Sequence, residues 1–127
     1  MPLVRITIPK GKTAEQRKAI WQGVHTALVE TFDVPNDDFF QIITEAAPQT
    51  EIVHTASYLG IGYTNDLVMM QITVSDTRTV EQKKQLYRRI VDRLSENPGL
   101  RREDIFINLV EVKKENWSFG NGVAQYA

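Results

Sequence analysis

Two stretches of the chain decide its fold: residues 4–18, VRITIPKGKTAEQRK, and residues 70–84, MQITVSDTRTVEQKK, which align without a gap at an offset of 66 residues. The same offset holds through a second block, where it places Ile20 on Leu86, Val24 on Ile90, Leu28 on Leu94, Asp38 on Asp104, Phe40 on Phe106 and Glu45 on Glu111. Strand-like and helix-like positions both match over more than forty residues. This indicates an internal repeat that covers approximately residues 2–45 and 68–111.

Each copy of the repeat predicts a strand, a helix and a second strand. The first strands alternate apolar and polar residues, which is the period of a half-buried strand. Thr13 and Thr79 are predicted N-caps, because Gln16 and Gln82 stand three residues later and complete capping boxes. Apolar residues then recur every four positions, and apolar segments follow at residues 39–44 (FFQIIT) and 105–110 (IFINLV). A β-α-β unit of this length predicts parallel strands within each copy.

Two such units form a single domain over residues 1–127 of the α+β class, with a four-stranded sheet and two helices on one face. The other face of the sheet is left bare. Six residues, Val4, Ile6, Ile8, Met70, Ile72 and Val74, make the strands too apolar for a face in water, which predicts that subunits pack there as a homo-oligomer. The tail, residues 116–127 (NWSFGNGVAQYA), predicts a C-terminal hairpin or an arm that caps a subunit.

Composition narrows the classes of function. Lysine and arginine total 15 against 16 aspartate and glutamate residues, so the charge balance favours neither nucleic acid nor an anionic membrane as a partner. No cysteine is present, which excludes disulfides and thiolate catalysis, and the two distant histidines, His25 and His54, predict no metal site. No apolar stretch approaches the ~20 residues of a membrane span. A cytoplasmic protein is the expectation.

The first strand begins almost at the first residue, with proline directly after methionine. Proline suits the first position of a strand, where no ladder hydrogen bond is lost, and this is the simplest reading of Pro2. Removal of Met1 would instead leave Pro2 as a secondary amine at the tip of the strand. The repeat aligns Pro2 with Val68, an internal strand residue, so this nitrogen is expected at the level of the sheet.

The chain resembles the tautomerase superfamily, and most of all its malonate semialdehyde decarboxylase-like branch. The resemblance rests on Met-Pro at the start of the first strand, the two-copy repeat, VPNDDFFQI at residues 34–42 and WSFGNG at residues 117–122. It implies a homotrimer, a catalytic N-terminal proline after processing, and no metal or organic cofactor.

Carried over by position, the resemblance implies Pro2 as the catalytic amine, Asp38 as its acidic partner, Arg78 as the residue that binds a substrate carboxylate, and Trp117 and Phe119 as an aromatic pocket wall. Many members of the branch have two arginines separated by one residue before the second helix. Here the first of these positions is Asp76, which makes decarboxylation a less secure expectation than in those members.

The residues leave three modes of action open for a Pro2 amine. A neutral amine could move a proton in keto–enol tautomerisation, a charged amine could polarise a carbonyl or protonate a carbanion, and an iminium could draw electrons for loss of carbon dioxide. The predicted function is therefore an enzyme that acts on small carboxylate-bearing oxo acids or their enols, as a tautomerase with decarboxylase or hydratase activity. The alternatives are a malonate semialdehyde decarboxylase proper and a non-catalytic, trimeric, cytokine-like binding module.

Overall fold

The computed structural model describes residues 1–127. The first repeat folds as a strand, a helix and a strand: β1 (Leu3–Pro9), α1 (Ala14–Phe32) and β2 (Phe40–Ala46). A two-stranded hairpin of β3 (Ser57–Tyr58) and β4 (Ile61–Gly62) lies in the linker. The second repeat gives β5 (Val68–Ser75), α2 (Val80–Glu96) and β6 (Ile105–Val112), and short 3-10 turns span Arg102–Asp104 and Lys114–Asn116.

The four long strands form one mixed sheet in the order β2-β1-β5-β6. The strands within each repeat are parallel, as predicted, and β1 and β5 join the two repeats by antiparallel pairing. Both helices begin at the predicted N-caps, Thr13 and Thr79, with both capping boxes formed. The predicted α+β architecture, with two helices over a four-stranded sheet, is confirmed. Neither helix is long and apolar enough to cross a membrane.

The core lies between the helices and one face of the sheet, and this corrects the prediction about the bare face. The six strand residues expected to make that face apolar, Val4, Ile6, Ile8, Met70, Ile72 and Val74, are all buried in the core that the helices cover. Strand alternation turns their neighbours outward instead. The open face of the sheet therefore carries the alternate residues of all four strands. On this face Phe40, Ile42 and Phe106 are exposed and apolar, whereas Arg5, Gln71 and Asn108 are polar.

The predicted C-terminal hairpin is absent, because no strand follows β6. The tail turns at Gly120 and Gly122, which have φ values of 145° and 68°. The side chain of Gln125 then accepts a hydrogen bond from the Phe119 amide and donates one to the Gly120 carbonyl. A side chain thus satisfies backbone groups that strand pairing would have used. The hairpin forms in the linker instead, where Leu59 and Gly60 both have positive φ, as a two-residue turn between twisted strands requires.

Candidate active site at the amino terminus

The amino terminus lies between two cavities. Pro2 is buried at the start of β1, and Met1 lines both cavities. One cavity, of about 480 Å³, is mainly apolar, and we call it the aromatic cavity; its other lining residues are Pro2, Leu3, Phe40, Thr73, Val112, Asn116, Trp117, Ser118 and Phe119. The second, of about 620 Å³, is the polar cavity, and its other lining residues are Phe32, Asp33, Ser75, Thr77, Arg78, Gln82, Lys114 and Tyr126. A substrate at the amine could therefore contact both.

Asp38 stands beside the terminal amine. Its carboxylate Oδ2 lies 3.9 Å from the Met1 nitrogen, and its side chain is only 14% exposed. The other oxygen, Oδ1, is buried and has no hydrogen-bond partner within the chain. A buried carboxylate oxygen without a partner is costly, and Oδ1 of Asp38 lacks the hydrogen bond that a structural cap would make.

The repeat supplies an internal comparison for Asp38. Its partner in the second copy, Asp104, is 1% exposed, and both of its oxygens are satisfied by the backbone amide and hydroxyl of Thr64, with Arg101 close by. Asp104 therefore anchors the linker to the 3-10 turn before β6. The same position of the repeat is structural in one copy and is left with an unused oxygen next to the amine in the other.

A histidine holds the segment that carries Asp38. The His25 ring, on α1, donates a hydrogen bond from Nε2 to the carbonyl oxygen of Asn36 at 2.8 Å, and its centroid lies 5.1 Å from that of Phe39. Trp21 stacks on the other side of the cluster, 5.3 Å from Phe39. His25 thus packs against the segment that carries Asp38 and helps to position it, while its other ring nitrogen, Nδ1, is buried without a hydrogen-bond partner.

The pKa of the terminal amine is lowered from its ordinary value of 8.0. Burial has the largest effect, because it disfavours the charged form; Asp38 opposes it by Coulombic attraction, and Arg78 adds to the lowering by repulsion. Of the two charged groups that act on this amine, Arg78 lines the polar cavity and Asp38 lies 3.9 Å from the amine nitrogen. The amine is poised closer to neutrality than a free terminus.

Arg78 forms one wall of the polar cavity, immediately before the N-cap of α2. Its Nη1 donates to the Thr77 hydroxyl at 2.8 Å and its Nη2 donates to the carbonyl oxygen of Phe32 at 2.7 Å. The guanidinium also lies over the Phe32 ring, 5.1 Å from its centroid. These contacts fix Arg78 against the end of α1, with its remaining N–H groups available to a ligand.

Trp117 and Phe119 form an aromatic wall of the other cavity. Their rings stack with centroids 5.5 Å apart, and the Trp117 indole donates to the Ser75 hydroxyl at 3.2 Å. Phe119 also meets the Tyr126 ring edge to face at 4.9 Å. Since Tyr126 lines the polar cavity, this aromatic contact joins a residue of one cavity to a residue of the other.

The structure thus brings the five predicted site residues, Pro2, Asp38, Arg78, Trp117 and Phe119, around one amine. Asp76, at the position of the expected second arginine, is exposed and lines neither cavity. Lys114 and Tyr126 are among the lining residues that were not predicted. Lys114 lies in a short charged run, KKE at residues 113–115, that reads as solvated surface, and no spacing in the sequence distinguishes it from Lys113. No group of three or more His, Asp or Glu side chains is placed to hold a metal ion.

Comparison with known proteins gives the class of protein. Residues 38–120 match one family model described as tautomerase enzyme, and residues 2–57 match a second with the same description. A probable tautomerase, YusQ of Bacillus subtilis (strain 168), is 38% identical, with 98% of each chain covered. The chain belongs to the tautomerase superfamily.

Solved structures place it more narrowly. The FG41 malonate semialdehyde decarboxylase inhibited by 3-bromopropiolate is 36% identical, with a TM-score of 0.88 and coverage of 98% of this chain and 93% of that one. A second malonate semialdehyde decarboxylase, described with decarboxylase and hydratase activities, is 29% identical, with a TM-score of 0.87 and coverage of 98% and 95%. The predicted branch, that of the malonate semialdehyde decarboxylase-like proteins, is confirmed.

Proposed function

We propose that the processed chain is a keto–enol tautomerase of small carboxylate-bearing oxo acids, with Pro2 as its catalytic amine. The observation that carries this proposal is the partly buried terminal amine, with a lowered pKa, set between a cationic cavity and an aromatic one. Once Met1 is removed, the amine is the Pro2 nitrogen. Pro2 is itself buried, so the same desolvation acts on that amine.

The reaction requires one group to move one proton. The neutral Pro2 nitrogen accepts the proton of the enol hydroxyl as the carbonyl forms, and the resulting ammonium returns that proton to the neighbouring carbon. Arg78 binds the substrate carboxylate, and the stacked rings of Trp117 and Phe119 exclude water from the opposite side. The product is an isomer of the substrate, and the Pro2 amine returns to its neutral form.

Decarboxylation of a 3-oxo acid such as malonate semialdehyde is the second candidate. The similarity to two malonate semialdehyde decarboxylases favours it, and so does Asp38, whose carboxylate lies 3.9 Å from the Met1 nitrogen and would stabilise a charged Pro2 amine nearby. The ammonium would polarise the 3-oxo group, carbon dioxide would leave with cleavage of the carbon–carbon bond, and a proton would then complete the acetaldehyde methyl group. The same ammonium could also promote the addition of water to a substrate of this class, which would be a third activity.

Two assays on the purified wild-type chain test the function. We expect enol-to-keto conversion of an aryl enolpyruvate to be faster than carbon dioxide release from malonate semialdehyde, after intact mass has shown that Met1 is absent. Faster decarboxylation would replace the first candidate by the second. If a chain that begins at Pro2 has neither activity, both candidate functions are rejected and a binding module is favoured.

We also propose that the chain assembles as a homotrimer through the face of the sheet that the helices leave open. The exposed apolar residues on that face are Phe40, Ile42 and Phe106, whose exposed fractions are 53%, 42% and 41%. Apolar side chains of this size on one uncovered surface indicate a protein interface. Light scattering should give three times the chain mass of 14.5 kDa, and the mass of a single chain would overturn the proposal.

A further inference from the structure

The polar cavity holds two cations that differ in how far the fold restrains them. Arg78 uses one N–H of each terminal nitrogen on protein atoms, the Thr77 hydroxyl and the Phe32 carbonyl oxygen. These bonds hold the guanidinium in place and occupy two of its five donors. Arg78 is therefore restrained by the fold, and three of its five donors make no hydrogen bond within the chain.

Lys114 is the other cation of this cavity, and it reaches the site from a different element. It begins the 3-10 turn Lys114–Asn116 that follows β6, whereas Arg78 precedes α2. Its side chain forms no ion pair or hydrogen bond within the chain. The one carboxylate that lines the cavity, Asp33, lies within ion-pair distance of neither Arg78 nor Lys114. The ammonium is free to meet an anion.

We infer that Lys114 binds the substrate carboxylate together with Arg78, so that the substrate lies with its carboxylate in the polar cavity and an uncharged remainder in the aromatic cavity. This inference rests on the proposed function and deepens it. Two cations from separate elements can hold the two oxygens of one carboxylate in a fixed orientation, and charge-assisted bonds of this kind are the stronger ones. The ammonium of Lys114 acts as a point charge, whereas the planar guanidinium of Arg78 fixes the direction of its hydrogen bonds to the carboxylate.

The aromatic cavity determines what the other end of the substrate can be. None of its lining residues has a charged side chain, and four of them are aromatic or large aliphatic groups: Leu3, Phe40, Trp117 and Phe119. A second carboxylate placed there would lose its hydration without a partner, which is costly. The structure therefore assigns the site to monocarboxylate oxo acids with an uncharged, preferably planar, remainder, with the reacting carbonyl or enol at the Pro2 amine, which borders the aromatic cavity.

Binding of an unreactive probe tests this without catalysis. Phenylacetate has one carboxylate and one aromatic end, and phenylacetamide has the same shape without the charge. In calorimetric titrations of the assembled protein, Lys114→Gln should weaken phenylacetate binding about tenfold, the loss expected for one charge-assisted contact, and leave phenylacetamide binding unchanged. Lys114→Arg should restore most of the affinity, because it restores the positive charge.

Lys113→Gln is the matched control. Lys113 is the exposed neighbour of Lys114 in the sequence and lines neither cavity, so the same loss of charge there should leave phenylacetate affinity unchanged. In steady-state assays, Lys114→Gln should raise KM for the aryl enolpyruvate about tenfold with a small change in kcat, and KM for its methyl ester should not respond.

Several results would overturn the inference. They are phenylacetate binding by Lys114→Gln within twofold of wild type, an equal loss in Lys113→Gln, an equal loss of phenylacetamide binding, or no phenylacetate binding by the wild type. Failure of the proposed function has a different signature. If only the proposed function is wrong, phenylacetate binding will still depend on Lys114, but the wild-type chain will catalyse neither reaction.

Discussion

Replacing Pro2 by alanine should lower kcat/KM for enol-to-keto conversion about 10²-fold or more, which is the usual contribution of a positioned acid–base group. After removal of Met1 the variant still has a terminal amine, but that amine is primary and rotates freely at the start of β1. Proline holds its nitrogen in a ring, and the ring is buried between the strands and the aromatic cavity. The loss of kcat/KM therefore measures how much a fixed secondary amine contributes to catalysis.

Pro9→Ala is the matched control for this substitution. Pro9 is the last residue of β1 and is also buried, but it stands at the opposite end of the strand from the amine. Its replacement changes a strand proline without changing the terminus, so activity per folded molecule should remain close to wild type. Thermal unfolding of both variants corrects for any loss of stability.

Intact mass makes the test decisive, because an amide nitrogen at position 2 cannot accept a proton. A chain that keeps Met1 and is fully active would exclude Pro2 as the base. So would a Pro2→Ala protein, with its methionine removed, that retains more than half of the wild-type kcat/KM. A loss shared equally by Pro9→Ala would assign the effect to the strand.

The fold could be predicted from the sequence because the same local sequence patterns occur in both copies of the repeat. Each copy has its own alternating strand, capping box and helix period, so the two predictions support one another, and short-range rules of this kind determine element order and the parallel pairs. The face of the sheet was predicted less well. Apolar residues such as Ile6 and Ile72 could not be assigned to the helix side or the open side from strand alternation alone, because alternation gives two faces and does not label them.

Residues of the candidate site could be proposed from the sequence only where a residue type has a special position in the chain or belongs to a motif. Pro2 could be singled out because it follows the initiator methionine, and Asp38, Arg78, Trp117 and Phe119 because motifs carry them. Lys114 could not, since it reaches the polar cavity through a turn after β6 whose path depends on tertiary packing. The tail was misjudged for a similar reason, because one side chain, Gln125, replaces the hydrogen bonds of a hairpin.

Asp38→Asn should separate the two proposed chemistries by the direction in which each pH–rate profile moves. Asp38 is the one influence that raises the pKa of the Met1 amine, against burial and Arg78, both of which lower it, and we expect it to act in the same direction on the Pro2 amine. Asparagine keeps the shape of the side chain and removes the charge, so the pKa of the amine should fall further. An opposite charge at this distance typically has an effect of about one pH unit or more.

A fall in that pKa has opposite consequences for the two reactions. Tautomerisation needs the neutral amine and rises as pH increases through the pKa, so its acid limb should move to lower pH by about one unit, with activity retained on the plateau. Decarboxylation needs the charged amine and is lost as pH rises through the pKa, so its alkaline limb should also move to lower pH, and its rate at pH values above the pKa should fall about tenfold.

Asp37→Asn is the control, because Asp37 is the exposed neighbour of Asp38 and has no contact with the amine. Its profiles should match wild type. Unmoved profiles in Asp38→Asn, or an equal displacement in Asp37→Asn, would contradict a specific role for the Asp38 charge. If the plateau rate of tautomerisation collapses while its acid limb stays in place, Asp38 acts on the substrate and not through the amine. The buried, unpartnered Oδ1 of Asp38 would then be the atom that meets the substrate.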